Sequence, residues 1–131
     1  MNPEDKKSLS QVRYEHSNDC LKAAKKLIEQ QCYKDATNRS YYAIFHSMRA
    51  VLILDGVDMK HHSGIISEFR RRYIKSEIFD TKLSEIISLL FDARTESDYD
   101  DFYVVSKTEA EHQVQNAEIF VIAIGNYLKS I

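Results

Sequence analysis

The sequence predicts an all-α fold, an up-and-down bundle of four to five helices forming a single domain over residues 1–131. Three observations carry that prediction. Glycine occurs only at 56, 64 and 125 and proline only at 3, too few for the tight turns that build a sheet from hairpins. Apolar residues recur at spacings of three and four rather than alternating. A chain of 131 residues that is 44% hydrophobic and 29% charged can bury one real core, which excludes disordered, collagen-like and disulfide-scaffold classes.

The first helix is expected from about Glu4 to Gln30, with Val12, Leu21, Ala24, Leu27 and Ile28 marking its apolar side. The second runs from near Tyr33 to Leu54, where Asp55-Gly56-Val57-Asp58 supplies a stop. A loop at His61–Ser63 leads to a third helix marked by Ile65, Ile66, Phe69 and Tyr73. Leu83, Ile86, Ile87, Leu90 and Phe91 mark a fourth. The acidic run Ser97–Phe102 reads as the longest connection. Ser106 with Glu109 forms a capping box that opens a last helix reaching about Leu128.

The formal net charge of −2 argues against a broad electrostatic nucleic-acid surface, so such binding would need a local basic patch. Cys20 and Cys32 have neither CxxC nor zinc-finger spacing and read as reduced thiols, small core residues of a cytoplasmic chain. No secretory h-region opens the sequence, and the most apolar run, Ile119–Ile124, is far shorter than the roughly 20 residues of a membrane span.

The second helix has two distinct faces. At about 100° per residue, Tyr41, Ile44, Phe45, Met48, Val51 and Leu52 fall within roughly 60° of one direction and form the core face. Arg39 and His46 stand one heptad apart on the other side, with Tyr42 between them and Ala43, Ala50 and Ile53 nearby. Small and apolar residues mixed with Arg, Tyr and His predict a second helix packed there, most economically from another copy of the chain, giving a homodimer. Such a cleft suits phosphate: Arg39 offers a permanently charged fork of donors, and His46 can move a proton at neutral pH.

Asn38-Arg39-Ser40-Tyr41-Tyr42-Ala43-Ile44-Phe45-His46 resembles the signature helix of HEPN-domain proteins, the higher eukaryote and prokaryote nucleotide-binding family, marked by Arg, four to six residues, then His. The resemblance continues through Lys60–Phe69, through Arg94 to Tyr99 and Asp100, and through Glu109, Ala117, Glu118 and Tyr127, covering about residues 8 to 129. It implies a helical bundle, usually dimeric, with the Arg and His of both copies at the interface. It also implies either a metal-independent endoribonuclease of a toxin–antitoxin or defence system, or a non-catalytic module that binds a nucleotide or a partner nucleotidyltransferase. Carried over, Arg39 stabilises phosphate, His46 is the general acid or base, and Asn38 and Tyr42 join them in nucleotide or phosphate binding. Met48 stands two residues after His46, where the branch modified by its antitoxin has Tyr.

No cofactor or metal site is expected. Adjacent His61 and His62 cannot easily share an ion, and a loop histidine capping the third helix is the plainer role. Asp98, Asp100 and Asp101 would suit a hard cation only if they converged. Arg70-Arg71-Arg72 with Lys75 is the strongest basic run and reads chiefly as a solvated face, with steering of RNA or an acidic partner as the alternative. Arg94 is expected to pair with Asp98 or Tyr99, and Tyr99 and Tyr103 to cover the end of the bundle.

Overall fold

The computed structural model describes all 131 residues as helices joined by short turns, with no strand. Five α-helices appear in order: α1 (Pro3–Glu29), α2 (Tyr33–Leu52), α3 (His62–Phe69), α4 (Thr81–Tyr99) and α5 (Lys107–Ser130). The starts follow local chemistry. Asn2 Oδ1 accepts from Asp5 N at 2.8 Å with Pro3 in the first helical position. Asp80 caps α4 through Lys82 N at 2.8 Å, and Ser106 caps α5 through Glu109 N at 3.1 Å, the serine half of the expected capping box.

α2 ends two residues sooner than expected, passing into a single 3-10 turn at Ile53–Asp55 that Gly56 closes at φ +77°. α3 begins at His62 rather than Gly64. It continues as one π-helical turn, Arg70–Ile74. The expected long acidic connection is shorter than the sequence suggests, because α4 extends to Tyr99. An ion pair between Arg94 and Asp98, one turn apart, supports that extension.

The expected core face of α2 is buried in full: Tyr41, Ile44, Met48, Val51 and Leu52 are 0% exposed and Phe45 is 5%. Around it lie Ile65, Phe69, Ile86, Ile87, Leu90, Phe120 and Ile124 from α3, α4 and α5. Phe69 stacks on Tyr73 and Phe79 and meets Phe120.

The opposite side of α2 is covered by α1 of the same chain. Ala43, Ala50 and Ile53, expected to await a second copy, are buried at 0%, 0% and 3%. Two serines of α1 donate into the α2 backbone, Ser17 Oγ to Ala43 O at 2.7 Å and Ser10 Oγ to Ala50 O at 2.6 Å. Small residues at these four positions let the two helices approach closely. Further along α1, Tyr14 Oη donates to Val121 O of α5 at 3.0 Å, across the position of Gly125.

Candidate functional site

Burial of α2 on nearly every side leaves one stripe. From Ala36 to Ile53, the only residues that keep some exposure are Asn38, Arg39, Tyr42, His46 and Arg49, at successive turns of one face. All four residues predicted to act on phosphate therefore lie together.

Their geometry is a ring of contacts. The Arg39 guanidinium lies over the Tyr42 ring, 5.1 Å from its centre. Arg39 Nη2 also donates to Asn38 Oδ1 at 3.2 Å. Asn38 Nδ2 donates to Asp98 Oδ1 at 3.3 Å. Arg94 returns the connection from α4: its Nη2 donates to Tyr42 Oη at 3.1 Å. Its Nε approaches Asp98 Oδ2 at 2.9 Å, close enough for an ion pair although off the axis of a good hydrogen bond. Asn38 thus orients Arg39 rather than pointing away on its own. Arg39 itself has no carboxylate within ion-pair distance, so its charge is available to a ligand.

His46 stands one turn beyond Tyr42, their ring centres 6.2 Å apart. Its Nδ1 is buried without a hydrogen-bond partner. Burial, reinforced by the charges of His16, Arg49, Arg39 and Arg13, pushes its pKa down to about 4. The imidazole is consequently neutral at neutral pH, the form a general base needs and a general acid lacks, which favours base over acid among the two roles expected for it.

Several members of this cluster were not evident from sequence. Arg13 of α1 is 8% exposed and donates to Asp58 Oδ1 at 3.0 Å, sharing that oxygen with Arg49 at the same distance. Burial lowers the Arg13 pKa, and the bond from Arg49 holds the Asp58 carboxyl below its usual range. One turn after Arg13, the exposed ring of His16 meets His46 edge-on with ring centres 5.7 Å apart. His62 caps nothing. It stacks on Phe45 at 4.0 Å, and its Nδ1 lies 2.8 Å from Tyr41 Oη. Arg13 with His16, and His46 with Arg49, share i,i+3 spacing, the one trace of this cluster in the sequence.

Other expected groups lie elsewhere. His61 precedes α3 but makes no side-chain cap. Arg70 is held by Ser84 and Ser88, while Arg71 and Arg72 both pair with Glu68 at the surface, so the basic run is a solvated face whose arginines are already partnered. Asp98 pairs with Arg94 and Asp100 Oδ1 accepts from Phe102 N, so the acidic residues do not converge. Tyr99 is 79% exposed and covers nothing. Cys20 and Cys32 are half-buried at the margin of the core rather than within it.

A helical bundle whose central helix shows solvent one stripe of arginine, tyrosine and histidine defines a class of small domain equipped to hold an anion beside a neutral imidazole. The chain belongs to the HEPN domain family, whose sequence model matches residues 10–127. It is 31% identical over 116 residues, 88% of this chain and 79% of the relative, to "Putative toxin MJ0142" of Methanocaldococcus jannaschii. It is 35% identical over 121 residues, 92% of this chain and 90% of the relative, to "Putative toxin MJ0605" of the same organism. A UPF0332 protein of Archaeoglobus fulgidus is 36% identical over 114 residues, 85% of this chain and 88% of the relative.

Proposed function

We propose that this HEPN domain is a toxin-type endoribonuclease that cleaves RNA without a metal ion, acts as a homodimer across the exposed stripe of α2, and is restrained by an antitoxin partner. The observation that carries the reading is the pairing, on the one open face of a buried helix, of an uncompensated guanidinium at Arg39 with a neutral imidazole at His46. The names of the Methanocaldococcus relatives support the toxin role.

In this mechanism His46 removes the ribose 2′-hydroxyl proton as the oxygen attacks the adjacent phosphorus. Arg39 stabilises the extra negative charge on the phosphoryl oxygens. The P–O5′ bond then breaks, leaving a 2′,3′-cyclic phosphate and a 5′-hydroxyl end. With Ala43, Ala50 and Ile53 already covered by α1, the dimer contact falls to Asn38, Arg39, Tyr42, His46 and the surface beside them.

The test is incubation of pure protein with RNA in EDTA, beside Arg39→Ala and His46→Ala. Each variant is expected to lose cleavage by roughly 100-fold or more while keeping its helicity. The opposing observation is compensation within the cluster, where Asp58 and Asp98 offset part of the charge of four arginines. It favours a non-catalytic module for a nucleotide or a nucleotidyltransferase. Equal cleavage by all three proteins, or none by any while such a ligand binds tightly, would establish that second reading.

A further inference from the structure

We propose that His16 of α1 is the general acid of the reaction, the partner of His46 within a single copy of the chain; this inference rests on the ribonuclease reading above. Transesterification of RNA needs two proton transfers. A base takes the proton of the attacking 2′-hydroxyl, and an acid gives one to the departing 5′-oxygen. In an in-line displacement those oxygens lie on opposite sides of phosphorus, so one imidazole cannot serve both in the same step. His46, neutral at neutral pH in each copy of the dimer, leaves the reaction short of a proton donor.

The structure supplies a second imidazole at the right place. His16 meets His46 edge-on at 5.7 Å between ring centres, which sets the two imidazoles side by side at the open stripe. The placement is held on both sides. Ser17, the next residue, ties α1 to Ala43 O of α2 at 2.7 Å, and Arg13, one turn earlier, is anchored to Asp58 at 3.0 Å. His16 itself forms no hydrogen bond or ion pair that would give it a structural duty, and it is exposed to solvent. A surface histidine with no partner but the candidate catalytic ring, on a helix clamped at the residues flanking it, is placed for chemistry.

The step balances within the two residues. Neutral His46 takes the 2′-hydroxyl proton as the O2′–P bond forms. The P–O5′ bond breaks and the protonated His16 ring gives its proton to O5′. His46 then sheds a proton to water and His16 regains one, restoring both.

The test compares two substrates of different leaving group: a short oligoribonucleotide and a ribonucleoside 3′-(4-nitrophenyl phosphate), whose nitrophenolate departs without needing a proton. His16→Ala is expected to lose about 100-fold or more on the oligoribonucleotide but to retain near wild-type turnover of the nitrophenyl ester. His46→Ala should lose both. Equal loss of both substrates in His16→Ala would overturn the acid role. Unchanged cleavage of both would also overturn it and would point to the acid coming from the second copy's own imidazole. Wild-type protein inert toward both substrates would instead sink the ribonuclease reading, and this inference with it.

Discussion

At residue scale, the surroundings of His46 set its protonation. Burial and the company of His16, Arg49, Arg39 and Arg13 hold its pKa near 4, against about 6.5 for a free histidine. The unfolded chain therefore binds a proton near pH 6.5 that the folded protein refuses until near pH 4. Stability from this residue is whole above pH 6.5 and falls as the pH falls toward 4. His62 is shifted the same way by burial and by Arg94 and Arg49. Urea unfolding at pH 7 and pH 5 should show a loss in the wild type that is smaller in His46→Gln. Parallel losses in the two proteins would contradict the assignment. Arg39 and His46 were legible in the sequence because the heptad spacing and the neighbouring residues name them. Arg13, His16 and Arg94 were not, since their place beside Arg39 and His46 depends on how α1 and α4 cross α2, and no local pattern encodes a crossing.

At the scale of elements, the seam between α1 and α2 was read half correctly. Small residues at Ala43 and Ala50 do mark a close helix contact, but composition does not say whose helix fills it. The answer lay in Ser10 and Ser17, which look like solvent-facing polar residues of an amphipathic helix and in fact donate to α2 carbonyls. The capping box at Ser106 was legible because its chemistry is wholly local, whereas the end of α4 was not, because acidic residues there are stabilised by Arg94. The contact of α1 with α5 provides a test. A methyl group at Gly125 would overlap Tyr14 Oη and Cζ, so Gly125→Ala must displace Tyr14 and break its bond to Val121 O. Helix propensity alone favours alanine by up to about 1 kcal/mol. Overpacking should reverse that sign, giving a net loss of about 1–2 kcal/mol in denaturant unfolding. The same substitution in a Tyr14→Ala background should be neutral or stabilising. A stabilising Gly125→Ala in the wild-type background would show that Tyr14 yields freely.

Taken as a whole molecule, the protein carries a net charge of −2 yet gathers Arg13, Arg39, Arg49 and Arg94 around the stripe of α2, opposed by Asp58 and Asp98. Four guanidinium groups against two carboxylates leave about two charges to meet phosphate. Binding to single-stranded RNA should then weaken with salt at a log–log slope of about −1.4, about 0.7 shallower in Arg39→Ala. A slope several times steeper would place the contact on a broader surface. No helix is long and apolar enough to cross a membrane. Sedimentation equilibrium at tens of micromolar is expected to give twice the 15.3 kDa of the chain. Replacing Tyr42 with Glu, which sets like charges opposite one another near the symmetry axis, should shift the protein to monomer. A dimer indifferent to that change would use another face.

The order in which the stripe is assembled also follows from chain connectivity. α1 and α2 are joined by only three residues, Gln30–Cys32, and form the most extensive interhelix contact of the bundle. Such a hairpin closes on itself early, because little chain entropy is lost in bringing its halves together. On a ribosome, His16, Arg39 and His46 can meet once α2 has emerged. The bracket that aims Arg39 waits for Arg94 and Asp98, more than forty residues later in the chain. A nascent protein thus gathers its imidazoles well before its guanidinium is oriented, and the stripe is complete only when α4 docks.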